Sequence, residues 1–437
     1  MDRGFINVLL LGLAFMLVFT AFQTWSNIQK IMIDSIINDN KNFKDANAYY
    51  SLAIIYIVMA VFNWTSPSAI SLIGPKFAML IGGVTYVLFV ISFCIPRVWL
   101  LYVVSAIMGI GAALIWTGQG NYLTLNSNDQ SISRNSGVFW AMLQMSMFIG
   151  NTFVFFVFRG KDIIDSTTRQ IVIWTLSGIA VGGLAVMVFF PKPVHTEEKP
   201  PEETSMTATS KAKLALKGAV RLFFNRNMML LCLTFVYTGL ELGFWSGVYG
   251  SCIGSSDVLP NSKQLMGISG IFIGLGEVIA GAAFGILGSK TNKWGRDPIV
   301  ILGFILHVVS FFVIFLNIPN NAPFKETTDQ AFITSNAVLA IMCSFLLGFG
   351  DACFNTQIFS MLGGVYVEDS TAAFSIFKFT QSVGAAISLT YASNFYLYVQ
   401  LGILLVFAIA GTASFVWVEW RHKRDVVNAE ASVSDSK

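Results

Sequence analysis

The sequence predicts an all-α integral membrane protein with twelve transmembrane helices in two pseudo-symmetric sets of six. Of its 437 residues, 55% are hydrophobic and 12% are charged, and the mean hydropathy is +0.67. Such a composition cannot form one soluble core. Apolar runs of roughly 20 residues, the length that crosses a bilayer as a helix, recur along almost the whole chain, and features of the first half return in the second.

Each apolar run predicts one helix. The runs are continuously apolar and contain glycine, whereas the strands of a membrane β-barrel would alternate in polarity over about ten residues. The twelve helices are expected at residues 5–25, 51–72, 77–95, 98–121, 137–158, 171–190, 228–250, 267–288, 298–317, 333–357, 374–394 and 399–419.

The first run has a second interpretation, because Arg3 before an apolar stretch is also typical of a signal peptide. Its length and the lack of a small-x-small cleavage site favour a retained helix.

Basic residues predict the orientation. With twelve helices, 18 of the lysines and arginines fall on the side of the termini and 9 on the other side. Cytoplasmic loops carry the excess of basic residues, so both termini are expected in the cytoplasm. The sequence does not indicate which membrane holds the protein.

A polar segment divides the chain. Residues 191–227 are rich in proline, glutamate and lysine, and within them the stretch from Lys211 to Arg226 predicts a short helix on the cytoplasmic leaflet. We therefore expect six-helix bundles at 1–190 and 228–420, a cytoplasmic linker at 191–227 and a cytoplasmic tail at 421–437.

The two halves also share an ordered set of residues, which indicates an internal duplication. The matching sets are Trp25-Ser26 with Trp245-Ser246, Gly74 and Gly82 with Gly295 and Gly303, Gly109-Ile-Gly111 with Gly348-Phe-Gly350, and Gln144 with Gln381.

A loop motif gives the first resemblance to a family. Gly288-x3-Asn292-x2-Gly295-Arg296 resembles the Gly-x3-Asp-x2-Gly-Arg signature of the major facilitator superfamily, with Asn292 in place of the acid; in the first half Gly74-Pro-Lys76 remains but no acid precedes it. Longer stretches resemble the uncoordinated-93-like (UNC-93-like) branch of that superfamily. These are residues 19–24, 109–121, 134–140, 237–241 and 353–357.

The resemblance implies a fold whose halves rock around a central cavity. Members of this branch are discussed as solute carriers, as regulatory subunits of ion channels and as trafficking chaperones of membrane receptors. The expected partners are the lipid bilayer with either a small solute or an ion channel or receptor. Acids inside cavity helices favour a solute carrier, whereas the altered loop signature favours an accessory subunit.

Three acids inside predicted helices are the main candidates for chemistry: Glu241, Glu277 and Asp351. A charged side chain at the bilayer centre costs roughly 2.5–3.5 kcal/mol on insertion scales. By the family fold these acids lie at or beside the central cavity, where they would couple transport to protons. Packing through interhelical hydrogen bonds is the alternative. Lys378 is expected to extend to the interface rather than neutralise Asp351, and His307 is expected to be a packed residue.

Uncharged polar groups form a second candidate set, expected near the cytoplasmic end of the cavity helices. They would hold a polar solute or latch a gate, or simply join helices by hydrogen bonds. The set is Trp116, Gln119, Asn121, Asn355 and Gln357.

Several function classes are excluded by what the sequence lacks. It has no Walker loop, no HExxH and no nucleophile elbow, so we expect no enzyme and no cofactor. Five cysteines without CxxC spacing and three scattered histidines predict no metal site. The basic excess follows from membrane orientation, so no nucleic-acid partner is implied.

The basic-residue asymmetry predicts the topology directly. Epitope tags at Met1 and within residues 196–210 should both bind antibody only after the membrane is permeabilised, when the non-cytoplasmic side is the accessible one. Immunofluorescence on intact and permeabilised cells measures this, and labelling of either tag without permeabilisation contradicts the orientation.

Overall fold

The computed structural model describes residues 2–128, 130–158, 164–195, 207–291, 295–392 and 394–435. These residues form thirteen α-helices, and the only pairing of extended backbone within them is an isolated bridge between Ser256 and Thr327. The helices are α1 Arg3–Asp39, α2 Ala48–Asn63, α3 Ser66–Ser92, α4 Val98–Leu125, α5 Ile132–Phe158, α6 Ser166–Val188, α7 Ala208–Phe223, α8 Arg226–Ser255, α9 Ser262–Thr291, α10 Asp297–Asn317, α11 Ala337–Val365, α12 Ser370–Ala392 and α13 Leu397–Asp435.

The protein is a multi-pass integral membrane protein. Among the described residues, eleven helices are long and apolar enough to cross a membrane, and Tyr50–Asn63 is a shorter apolar helix. This short helix belongs to the second predicted span, which breaks after Asn63 and resumes in the first turns of α3. Non-helical backbone at Gly74 then separates the second and third predicted spans within α3. The predicted fold class is confirmed.

The ends of several helices differ from the prediction. α1 continues to Asp39, fourteen residues past its predicted end, and α11 runs from Ala337 to Val365 rather than 333–357. Hydropathy marks the part of a helix that lies in lipid, whereas capping residues decide where it begins. Asn336 caps α11 by accepting hydrogen bonds from the backbone N–H groups of Val338 and Leu339. The predicted span 333–357 put Asp351 in the second half of its helix, whereas it lies at the centre of α11.

The same pattern of helix packing occurs twice. In the first half α1 packs on α5 and α6, and α4 packs on α2 and α3; in the second half α8 packs on α12 and α13, and α11 packs on α9 and α10. Each of these four pairs of the first half thus has its counterpart six spans later, as the internal duplication predicts.

Glycines reproduce this symmetry in detail. Gly74 and Gly295 both have positive φ, 77° and 87°, and are the only glycines of the described residues that do. Glycine adopts this conformation without the steric cost that a side chain brings. Gly82 lies against the carbonyl of Gly111, and Gly303 lies against the carbonyl of Gly350. Both contacts let one helix approach another closely.

The two halves meet along α5 with α9 and along α2 with α12. They are also closed at one end of the bundle, which we call the linker end because α7 lies there. At this end Asn121 Nδ2 donates to Ser370 Oγ at 3.2 Å, Gly120 packs on the ring of Phe374, and Gly363 packs on Ile132. At the opposite, far end, α1 and α8 make no extensive contact among the described residues.

The start of α1 and the last part of α13, the first and last described helices, both lie at the linker end. Asn7 near the start of α1 donates to Asn126 at the end of α4, and Glu419 in α13 accepts from Arg296. These two segments therefore occupy one side of the bundle, as an even number of spans requires.

Close glycine contacts predict which substitutions the fold tolerates. Gly111→Leu would drive a side chain into Thr85, and Gly350→Leu would drive one into His307. We expect both to reduce the yield of folded protein strongly, because overpacked cores lose about 1–3 kcal/mol or more. Fluorescence-detected gel filtration measures this yield.

Gly178→Leu and Gly402→Leu are matched controls, because nothing lies within 4 Å of a side chain added at either position. Leu9→Ala is a third control, at a half-buried position of α1. Equal yields for all five variants would show that close packing at Gly111 and Gly350 is not needed.

Candidate functional site

The three predicted acids meet at the centre of the second half. Glu241 of α8, Glu277 of α9 and Asp351 of α11 each lie near the middle of their helix, and their exposed fractions are 0%, 0% and 2%. The carboxyl group of Asp351 lies near enough to those of Glu241 and Glu277 for the three groups to interact electrostatically. We call these three residues the acid cluster.

Two of the acids receive a hydrogen bond from a neutral side chain. Trp140 Nε1 on α5 donates to Glu277 Oε2 at 2.6 Å, and Asn355 Nδ2, one turn along α11, donates to Asp351 Oδ1 at 2.8 Å. Glu241 differs from both, because neither of its oxygens accepts a hydrogen bond from a donor within the described residues. A buried acceptor without a donor is costly, so Glu241 is the least satisfied member.

His307 of α10 lies directly beside Glu241. Its Nδ1 is 2.5 Å from the hydroxyl of Tyr237, and its Nε2 is 3.0 Å from the carbonyl of Leu347 and 3.1 Å from Glu241 Oε1. Nε2 is directed at the carbonyl, so the approach to Glu241 is a close contact. The ring reaches this site because it passes over Gly350, which has no side chain. His307 is packed, as expected, but against the acid cluster.

Lys378 contradicts the expectation that it extends to the interface. Its side chain is buried, and Nζ lies 4.1 Å from the ring centre of Trp116 on α4 and 4.5 Å from that of Phe377. Nζ donates to Gln381 Oε1 at 2.7 Å. The lysine lies more than two turns inside α12, under an aromatic ring of the other half, and a cation over the face of tryptophan is stabilised by the charge distribution of the ring.

Two amides connect this lysine to the acid cluster. Gln381 Nε2 is 3.5 Å from Asn355 Oδ1, and Asn355 in turn donates to Asp351. Lys378 and Asp351 also interact electrostatically. One polar network therefore runs from the interface between the halves, at Trp116, to the centre of the second half.

The remaining polar candidates do not form a single group. Gln119 is fully buried with both amide atoms unpaired among the described residues, Asn121 bonds Ser370 across the two halves, and Gln357 donates to Thr356. Trp116 and Asn355 belong to the network of Lys378. The structure thus divides the set that the sequence placed together.

The loop-signature residues hold the linker end of each half. Lys76, two residues after Gly74, donates to the carbonyl of Phe190 at 3.0 Å. Arg296, next to Gly295, donates to Glu419 at 3.0 Å and to Ser360 at 3.1 Å. Asn292 lies outside the described residues.

The first half has no counterpart of the acid cluster. Ala112 follows Gly111 as Asp351 follows Gly350, and Ala21 precedes Trp25 by four residues as Glu241 precedes Trp245. Likewise Ala141 stands three residues before Gln144, where Lys378 stands before Gln381. Glu241, Asp351 and Lys378 thus occur in only one half of the duplicated sequence, and alanine stands at each equivalent position of the other half.

Sequence reasoning did not identify Trp140 and Tyr237 as part of this site. Tyr237 precedes Glu241 by four residues on one helix, and this spacing places both on the same face. The sequence alone could therefore have predicted that Tyr237 lies near Glu241. Trp140 and Glu277 are 137 residues apart, and the sequence has no local pattern that joins them.

A family profile described as "Ion channel regulatory protein UNC-93" matches residues 39–416. The chain belongs to the UNC-93 family. "UNC93-like protein MFSD11" of Xenopus laevis is 42% identical over 434 residues, which cover 96% of this chain and 97% of that protein. The predicted family, and within it the resemblance to major facilitator superfamily domain-containing protein 11, are confirmed.

Solved structures show the fold at low identity. The proton:xylose symporter XylE has a TM-score of 0.69 and 12% identity, covering 95% of each chain. The human organic anion transporter MFSD10 has a TM-score of 0.64 and 12% identity, covering 94% of this chain and all of the other. At this identity the likeness establishes the major facilitator fold of the UNC-93 chain.

The indole hydrogen bond predicts a difference between two tryptophans. Trp140→Phe leaves Glu277 without its donor, and we expect a loss of about 1–3 kcal/mol of stability, seen as a lower midpoint of thermal unfolding in detergent. Trp174→Phe removes a similar bond, to Gln170, at an exposed site, and should change the midpoint little. Equal midpoints would mean that the Trp140 bond does not stabilise the cluster.

Proposed function

We propose that this UNC-93 family member is a solute carrier that moves a small molecule by alternating access and couples the movement to protons. The observation that carries the proposal is the acid cluster at the centre of the second half of a major facilitator fold, where Glu241 accepts no hydrogen bond within the described residues. Intramembrane acids are costly and are characteristic of ion pathways and proton relays. On this proposal the chain has no enzymatic activity.

Protonation follows from the contacts of the cluster. Glu241, Glu277 and Asp351 are buried and interact electrostatically with one another, so we expect the cluster to hold at least one proton. Three ionised carboxylates together in an apolar interior would repel and be poorly solvated. Loss or gain of this proton changes the charge at the centre of the second half.

The network of Lys378 connects that charge to the movement of the halves. Lys378 belongs to α12 but lies on Trp116 of α4, next to the contacts that close the linker end. Separation of α4 from α12 would remove Lys378 from the ring of Trp116. Asp351 would then be the main group that stabilises the charge of the lysine. We infer that the protonation of the acid cluster and the closure of the linker end influence each other.

The orientation completes the proposal. With both termini in the cytoplasm, the linker end is the cytoplasmic end and the described conformation faces outward. The six-helix bundles 1–190 and 228–420, joined by the linker 191–227, would rock around the central cavity, and the segment 421–437 would be a cytoplasmic tail. Related folds carry xylose or organic anions; for this chain the solute is proposed only as a small molecule.

A second candidate is a non-transporting subunit that regulates an ion channel or escorts a membrane receptor. The family description names ion channel regulation. The loop signature also supports it, since no acid precedes Gly74 and Asn292 replaces the acid of the second half. Partner binding would then involve the outward faces of helices rather than the acid cluster.

Neutral variants separate the two candidates. Glu241→Gln and Asp351→Asn keep the shape of the cluster but abolish its charge cycle, so we expect normal insertion and a large loss of net uptake or of its pH dependence. Uptake into liposomes against a panel of solutes measures this. Glu368→Gln, at an exposed loop position, is the control and should transport normally.

Solute transport and assembly with a partner protein are measured in the same variants. Full transport with both acids neutralised contradicts proton coupling. If the unmodified protein carries no solute and all variants still assemble with an ion channel or receptor, the accessory function is favoured.

A further inference from the structure

Helix α7 is fastened to both halves of the bundle. Ser68 Oγ at the start of α3 donates to the carbonyl of Ala212 at 2.7 Å. The ring of Phe223 lies 5.3 Å from that of Trp64 and 6.4 Å from that of Phe379 on α12. The buried residues Ala219 and Leu222 face inward in the same way. α7 therefore spans the junction between the halves at the linker end.

The outward face of α7 carries two parallel rows. Lys213, Lys217 and Arg221 follow one another at four-residue intervals and are exposed, so they lie along one side of the helix. A second row, at the same interval, is apolar and also exposed: Leu216, Val220 and Phe224, the last directly after the helix, with exposed fractions of 40%, 40% and 67%. Four basic residues and no acid occur within α7.

The combination of a basic row and an apolar row indicates what kind of molecule binds the outward face of α7. An acidic protein segment would neutralise the basic row but leave the apolar row in water. A phospholipid layer satisfies both, because phosphate groups pair with lysine and arginine while the apolar row enters the boundary with the acyl chains. The position agrees with this, since α7 ends at Phe223 and the spanning helix α8 begins at Arg226.

We propose that the outward face of α7 binds anionic phospholipid headgroups of the adjoining leaflet and thereby stabilises the closed linker end. In the docked helix both rows face the lipid side by side while the opposite face holds α3 and α12. A ligand shifts a conformational equilibrium only by its differential affinity. Anionic lipid therefore favours the conformation in which α7 is docked on both halves. The proposal does not depend on transport.

The experiment uses the full chain in nanodiscs of phosphatidylcholine alone or with added phosphatidylserine. Hydrogen exchange is followed by mass spectrometry in α7 and in the linker-end parts of α4 and α12. At roughly 1 kcal/mol per basic residue near an anionic surface, three residues change the docking equilibrium by up to about a hundredfold. We expect slower exchange in all three segments with phosphatidylserine, and loss of this protection at high salt.

Variants test the two rows. The triple variant Lys213→Gln, Lys217→Gln and Arg221→Gln should lose the protection by phosphatidylserine while keeping its melting temperature in phosphatidylcholine. A control with the same loss of charge, Lys41→Gln, Lys44→Gln and Lys325→Gln at the far end, should keep the protection. Leu216→Ser with Val220→Ser, which retains all charges, should weaken it.

Other outcomes assign the surface differently. Equal exchange of the unmodified chain in both lipid mixtures overturns the proposal. A second outcome is protection from hydrogen exchange that is the same in both lipid mixtures and is lost when Glu197, Glu198, Glu202 and Glu203 are changed to glutamine. That result would mean that the basic row binds these glutamates of the linker. Protection by soluble glycerophosphoserine alone would mean that the apolar row, and hence the membrane, is not required.

Discussion

The structure depends on one constraint, which is that ionisable side chains in the interior of a membrane protein need partners from other helices. Glu241, Glu277 and Asp351 come from α8, α9 and α11, and their neighbours Trp140, His307 and Lys378 come from α5, α10 and α12. Six helices therefore converge on a small volume of the second half. Because an unpaired buried charge or acceptor is costly, the relative rotation of these helices is restricted by the chemistry at their centre as well as by packing of their apolar faces.

Glycine makes this convergence feasible. Gly348 and Gly350 of α11 lie directly against Ile273 of α9 and His307 of α10, and a larger residue at either position would separate the helices that supply the acid cluster and its histidine. Neighbouring residues of one helix thus provide the close packing and the polar contacts, since Asp351 directly follows Gly350. In the first half the same close packing is kept around Gly109 and Gly111 without any acid, so the fold does not require the charges.

The sequence predicted much of the fold and the identity of the acids, because both depend on local composition. Apolar runs located the helices, and repeated glycines located the equivalent loops at Gly74 and Gly295. The ends of α1 and α11 were predicted incorrectly because polar residues beyond the lipid core still form helix. The partners of the acids could not be predicted, since Trp140 meets Glu277 only through the packing of α5 on α9. Lys378 was expected at the interface because the predicted helix began at residue 374, whereas α12 begins at Ser370. The ring of Trp116 reaches Lys378 only through the packing of α4 on α12.

The uneven distribution of charge between the halves has a consequence for biosynthesis. Chains are synthesised from the amino terminus, and early domains generally fold first. Trp116 and Trp140 belong to α4 and α5, so they are already inserted when the ribosome reaches Glu277 and Lys378. These two ionisable residues therefore emerge after the tryptophans of the first half that they contact. With the halves in the reverse order, Glu277 and Lys378 would be inserted before Trp140 and Trp116 are available to them.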